Sequence, residues 1–256
     1  MKAASLSPLL APADVAPVEV VHAESDVPLL LLCEHAGSEV PAALGTLGID
    51  EAVLNSHRGW DIGAGDVARR LTDLLRAPLI LQRYSRLVID ANRPPGSQSS
   101  IPEISDGETI HGNRNLTAED IQARRLAIFD PMDRAIAGVF SARRRCAAFS
   151  IHSFTPHFNG KQRPWHAGFI TRRSMDTANQ MRAFLSCASP NLNIAVNEPY
   201  RIGDDSDWFI PVHAEARGLP HCLIEIRNDQ IDHAGGAAHW AGLLANAIKD
   251  VVGELT

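Results

Sequence analysis

Three segments of this 256-residue chain join an apolar run to residues that can move a proton or hold a metal. Pro28 to Gly37 reads P-L-L-L-L-C-E-H-A-G and delivers Glu34 and His35 behind four leucines and a cysteine. Ala147 to Ile151 delivers His152 and Ser153. Cys222 to Ile226 carries Glu225 near its end and is followed by Arg227. Asp61, within W-D-I-G, and the D-A-N-R-P group at Asp90 to Pro94 fall between them. Two neutral imidazoles and one carboxylate are a common way to hold a catalytic zinc, with the fourth position left to water. His35 and His152 are the imidazole candidates, and Asp61 is the carboxylate candidate. Zinc lowers the pKa of bound water to about 7 and polarises a carbonyl. A separate carboxylate must then pass the proton to the leaving amine. Glu225 suits that role, because it stands at a different strand end from the expected ligands.

The arginines extend this chemistry. Arg93 directly follows Asn92, and Arg86 and Arg227 lie near other strand ends. Guanidinium grips carboxylates through paired hydrogen bonds. The competing reading is structural: Asp90 pairing with Arg93, or Glu225 with Arg227, two residues apart on one strand face. Histidines also have a plainer use, as surface or hydrogen-bonded core residues. Ser153 beside His152 hints at a serine hydrolase. Adjacent strand residues point to opposite faces, however, and no G-x-S-x-G elbow is present. Ser153 is therefore grouped with Asn92, Arg93, Arg86 and Arg227 as a substrate contact. The G-x-G at Gly63 to Gly65 lacks the third glycine of a dinucleotide site.

Elements must place these groups. The run at Leu29 to Cys33, closed by a glycine turn, predicts a strand buried on both faces, with a short buried helix as the alternative. Further strands are expected at Leu79 to Gln82, Leu87 to Ile89, Ala147 to Ile151, Ala167 to Ile170, Ile194 to Val196 and Cys222 to Ile226, and Val18 to Val21 reads either as a short edge strand or as a lead into the strand at Leu29. Helices are expected over Glu51 to Ser56, capped by Asp50, and over Gly63 to Arg76, with Val67, Ala68, Leu71, Leu74 and Leu75 on one face. Others are expected from Thr117, with Asp120 completing its cap, to about Ala137 with a kink at Pro131, from Met175 to Ser186 and from Ala234 to Val252. Trp208 to Arg217 reads as partly helical. Pro94 to Asn115 reads as a long irregular loop, and such loops in compact domains are usually functional. Strands alternating with helices predict an α/β domain with a mixed, mostly parallel sheet between two helical layers. Open sheets of this kind place their chemistry at the carboxyl ends of the strands.

Composition narrows the classes. A net charge of −6 with no basic stripe argues against a nucleic-acid partner, and no apolar run is long enough to span a bilayer. Residues 1–17 read as a flexible arm, without the charged and apolar regions of a signal peptide, ahead of one catalytic domain over 18–256. Four scattered cysteines without a C-x-x-C pair suggest reduced thiols and a cytoplasmic setting.

Five motifs in order resemble the N-formylglutamate amidohydrolase family. They are E-H-A-G followed by Pro41, W-D-I-G at Trp60 to Gly63, S-R-L-V-I-D-A-N-R-P at Ser85 to Pro94, I-H-S-F-T-P at Ile151 to Pro156, and L-I-E-I-R-N-D at Leu223 to Asp229. The resemblance runs from about Leu30 to Gly253. It implies a phosphorylase/hydrolase-like fold, similar to zinc carboxypeptidases, and zinc-dependent hydrolysis of a C–N bond. It implies one divalent ion on His35 and His152, a catalytic Glu225, and an Asn92–Arg93 pair on the substrate carboxylate. Zinc carboxypeptidases carry H-x-x-E, whereas Ser38 stands three residues after His35. Asp61 is then the expected second ligand, with Glu34 and Glu39 as alternatives. The family usually shows P-H-S-G where this chain has E-H-A-G, so the expected substrate is N-formylglutamate or another small N-acyl amino acid. Two further functions fit the same fold: a carboxypeptidase-like hydrolase of small peptides or cell-wall fragments, and a non-catalytic carboxylate-binding protein.

Overall fold

The strand Leu29–Cys33 is the middle of the architecture, and all five of its side chains are fully buried. In the computed structural model, which describes residues 8–253, a seven-stranded sheet forms around it. The strands are β1 (Val18–Val21), β2 (Leu29–Cys33), β3 (Leu79–Gln82), β6 (Ala147–Phe154), β9 (Ala167–Ile170), β10 (Ile194–Val196) and β11 (His221–Arg227). Two small hairpins lie outside it: β4 (Ile104–Ser105) with β5 (Glu108–Thr109), and β7 (His157–Phe158) with β8 (Lys161–Gln162). The spatial order is β1-β3-β2-β6-β11-β9-β10. The central four, β3, β2, β6 and β11, run parallel, while β1 and β9 oppose their neighbours β3 and β11.

Alternation along β2 divides the interior into two cores. Leu29, Leu31 and Cys33 join the helices α2 (Ala64–Leu75) and α6 (Ala234–Val252), together with residues of α5 (Met175–Ala188), on one face. Leu30 and Leu32 join α4 (Asp130–Ala142) and the segment from Phe209 to Ala214 on the other. Burying each leucine contributes about 1.5–3 kcal/mol. The expected three-layer α/β fold with a mixed, mostly parallel sheet is the fold observed. No helix among the described residues is long and apolar enough to cross a membrane.

Several expectations need correction. Leu87 to Ile89 is a buried turn, not a strand. Its backbone is satisfied by side chains instead of a neighbouring strand: Asn113 donates to the Leu87 carbonyl and Arg124 to that of Val88. The three apolar side chains fill a third core with Tyr84, Ile110 and Phe129. Leu74 is exposed, so the buried stripe of α2 is Val67, Ala68, Leu71 and Leu75. The helix α1 stops at Leu54 (Glu51–Leu54), and the Asp50 side chain makes no capping bond. The Thr117–Asp120 capping box is present, and it starts α3 (Ala118–Arg124). A π-helical turn at Arg125–Phe129 joins α3 to α4, which ends at Ala142 rather than Ala137. Pro131 lacks the N–H that would bond the preceding turn, and the widened turn lies just before it.

Of the expected N-terminal arm, residues 1–7 lie outside the described residues. Beyond them, Leu9, Leu10 and Val15 pack against the third core, and the Tyr84 hydroxyl donates to the Val15 carbonyl at 2.8 Å.

Candidate active site

One sheet face changes character as the strands approach their carboxyl ends. Leu30, Leu32, Ala148 and Leu223 belong to the core beneath α4. Further along the same face come Ser150 and His152 on β6, and Glu225 on β11. Glu225 lies directly opposite His152 in the parallel register. β6 continues to Phe154, so His152 stands within the strand instead of after it. Glu34 and His35 follow the end of β2. Asp61 arrives in the turn before α2, where the Asp61 amide donates to the His35 carbonyl at 3.0 Å. Gly63 makes that turn possible. Its φ is 79°, and a Cβ there would meet the Ile231 carbonyl oxygen at 2.2 Å.

His35, Asp61 and His152 converge, buried, with one potential ligand atom from each within 4.8 Å of the others. Nδ1 of His152 lies 2.8 Å from Asp61 Oδ2, and Nδ1 of His35 lies 3.4 Å from the same oxygen. The two rings meet edge-on with centroids 4.9 Å apart. Both remaining ring nitrogens have carboxylate partners: Nε2 of His35 faces Asp90 at 2.8 Å, and Nε2 of His152 faces Glu34 at 3.1 Å. Metal-binding histidines almost always carry such a partner, which fixes ring orientation and raises basicity. The donor set therefore suits a divalent ion held by His35, Asp61 and His152. Of the two alternatives to Asp61, Glu34 orients His152 and accepts from the Ser150 hydroxyl, and Glu39 is exposed outside the cavity.

The charges are strongly coupled. Burial opposes ionisation of Asp61, but the two imidazoles hold its carboxyl far below the usual range. Burial likewise opposes the Asp90 carboxylate, and His35 and Arg86 overcome it. Glu225 differs. Burial pushes its carboxyl up to about 7, and its Oε2 has no hydrogen-bond partner among the described residues. A carboxyl poised near neutral pH can both accept and return a proton.

These groups form the floor of a cavity of about 480 Å³. Arg86 lines it while donating to Asp61 Oδ1 at 3.2 Å and to Asp90 Oδ2 at 2.8 Å. Arg93 lines it too, donating to the Ser206 carbonyl and lying 3.8 Å from Asp90. Asn92 is already committed: its amide donates to Asp207 at 3.3 Å and accepts from the amides of Trp208 and Phe209. Ser153 braces Asp61, its amide donating to Oδ2 at 3.2 Å and its hydroxyl to the Ile62 carbonyl at 2.9 Å. Arg227 is not brought to the cavity. It pairs with Asp229 at 2.8 Å rather than with Glu225.

A family model described as N-formylglutamate amidohydrolase matches residues 27–231. The chain belongs to the N-formylglutamate amidohydrolase family. Membership makes it a hydrolase of amides with a small-molecule substrate. The crystal structure of a gene product from Agrobacterium tumefaciens is similar at 35% identity and a TM-score of 0.90, over 95% of this chain and 98% of that one. The crystal structure of N-formylglutamate amidohydrolase from Ralstonia eutropha is similar in fold, with a TM-score of 0.70 at 17% identity over 93% and 97% of the two chains. Comparison with curated proteins gives no match.

Within this N-formylglutamate amidohydrolase family member, the structure adds residues that spacing alone did not single out. Asp90 and Glu34 hold the histidines, whereas the sequence alone offers Glu34 only as an alternative ligand. Arg58, Arg163 and Tyr200 line the cavity from loops. No periodicity marks these loop positions.

Proposed function

We propose that this protein is a zinc-dependent amidohydrolase that cleaves the C–N bond of an N-acyl amino acid, such as N-formylglutamate to formate and glutamate. The observation that carries this reading is the buried convergence of His35, Asp61 and His152 beneath a cavity that also holds the unpartnered carboxyl of Glu225. A divalent ion on those three residues would supply Lewis-acid polarisation of the acyl carbonyl and make water more acidic. Glu225 accepts a proton from the attacking water at a carboxyl oxygen, then returns it to the amide nitrogen as the C–N bond breaks. The products are a carboxylic acid and the free amine, so atoms and charge balance. Arg93 faces the substrate carboxylate, and Arg86, fixed by Asp61 and Asp90, adds positive charge where oxygen becomes negative. Ser153 and Asn92 act mainly by holding Asp61 and the 207–209 segment in place.

The test combines metal analysis with hydrolysis of a panel of N-acyl amino acids. Glu225→Gln should lower kcat by roughly 100-fold or more while bound zinc is retained. A protein that takes up no divalent metal and hydrolyses no member of the panel would refute the proposal.

A further inference from the structure

Five arginines line the cavity, and four have obvious reasons to be there or are solvated. Arg58 pairs with Asp106, and Arg86 and Arg93 approach Asp90, while Arg201 is exposed. Arg163 is different: only 8% exposed, with no carboxylate partner among the described residues. Its guanidinium lies 4.5 Å from the Phe158 ring centroid, 5.0 Å from that of Tyr200 and 5.8 Å from that of Phe154. One terminal nitrogen, Nη1, donates to the Tyr200 hydroxyl at 3.0 Å and approaches the Thr155 hydroxyl at 3.5 Å. Nε and Nη2 have no protein acceptor among the described residues. Two other buried arginines also lack an acid, but Arg124 and Arg145 donate to main-chain carbonyls away from the cavity. A buried cation needs a counter-charge, and aromatic faces supply only part of one.

We propose that Arg163 is the receptor for the side-chain carboxylate of an acidic N-acyl amino acid, and so sets specificity for that residue. The inference rests on the amidohydrolase reading of the site. Position favours the side-chain carboxylate over the α-carboxylate. Phe154, beneath the guanidinium, lies two residues beyond His152 on the same face of β6, a separation of about 7 Å. The side-chain carboxylate of an extended glutamate lies about 5 Å from its nitrogen, and the α-carboxylate only about half as far. The open Nε and Nη2 edge offers two parallel donors, the geometry that a carboxylate accepts. The three rings around the guanidinium hold it in place at the cavity wall.

The test compares N-formyl-L-glutamate with N-formyl-L-glutamine, equal in shape and differing in that one charge. In the zinc-loaded wild type, kcat/KM should favour glutamate. Arg163→Met keeps the apolar stem among the rings, and Arg163→Gln keeps polarity. Both should raise KM for the glutamate substrate by roughly 10- to 100-fold. Both should leave the glutamine substrate within about 3-fold and kcat little changed. Arg163→Lys should restore part of the preference. Equal losses on both substrates, or a preference that survives both variants, would overturn the assignment. Should the wild type hydrolyse neither compound, the amidohydrolase reading is decided by metal uptake and the wider panel, and calorimetric binding of N-formyl-L-glutamate decides for Arg163. Weaker binding by folded Arg163→Met upholds the receptor, whereas equal binding or none in the wild type overturns it.

Discussion

Glu34 lies behind the site, in contact with His152 but not lining the cavity. It is buried beside His152, and its Oε2 takes contacts from both His152 Nε2 and the Ser150 hydroxyl. Burial opposes its charge, yet His152 and Ser150 hold its carboxyl below the usual range. The ionised form thus fixes which nitrogen of His152 is left for a metal. Replacing it with alanine frees the ring to rotate. Glu34→Ala should weaken zinc affinity by about 10- to 100-fold, measured by competition with a chromogenic chelator. The effect on activity at saturating zinc should be much smaller. At this scale the sequence was informative where a residue type is scarce and chemically committed. His35, His152, Asp61 and Glu225 could each be singled out from type and segment. Glu34 was ambiguous, since a carboxylate next to a ligand can bind the metal or orient another ligand. Arg227 was misplaced, because sharing a strand with Glu225 says nothing about the loop that claims its guanidinium.

The elements that carry the site are held by polar contacts as well as by packing. Asp133 on α4 accepts from Trp208 Nε1 at 2.8 Å and faces His213 Nε2 at 2.8 Å, which ties the 208–217 segment across the sheet. That segment's amides grip Asn92, so its position reaches the cavity rim. The hydrogen bond with His213 holds the Asp133 carboxyl below its usual value, with Trp208 assisting against burial. A depressed carboxyl adds stability that is complete above its unfolded pKa and is lost as pH falls through the folded one. Asp133→Asn should therefore cost about 1 kcal/mol near neutral pH, allowing for the partial exposure of the group. The difference from wild type should shrink as pH falls below about 4, as read from denaturant unfolding curves at several pH values. Most strands and helices were legible because each keeps one period over its length. Leu87 to Ile89 was not, because three apolar residues fit a strand and a buried turn equally well. Only the distant side chains of Asn113 and Arg124 settle which one forms.

For the molecule as a whole, the polar centre continues one sheet face beyond its apolar core and charges the folded state for its burial. Three ionised carboxylates, two imidazoles and the Arg86 guanidinium share one buried volume. An ion that binds the folded chain and not the unfolded one offsets that burden by mass action, about 4 kcal/mol at a thousandfold excess over Kd. Removing metal with a chelator should lower Tm by several degrees, and zinc should restore it, as followed by calorimetry. The same experiment on a protein in which His35 and His152 are both alanine should show no chelator dependence. The overall class was readable from alternating strand and helix patterns. Strand order was not, since it is set by which faces meet across the sheet, and local sequence does not report that.

The facing of His152 and Glu225 across β6 and β11 carries an evolutionary corollary. A single-residue insertion or deletion inside either strand would turn the polar groups of the site into the opposite core and bring apolar ones into the cavity. Length variation among relatives should therefore collect in the hairpins and connecting loops, while the stretches Ala147 to His152 and His221 to Glu225 keep a constant number of residues.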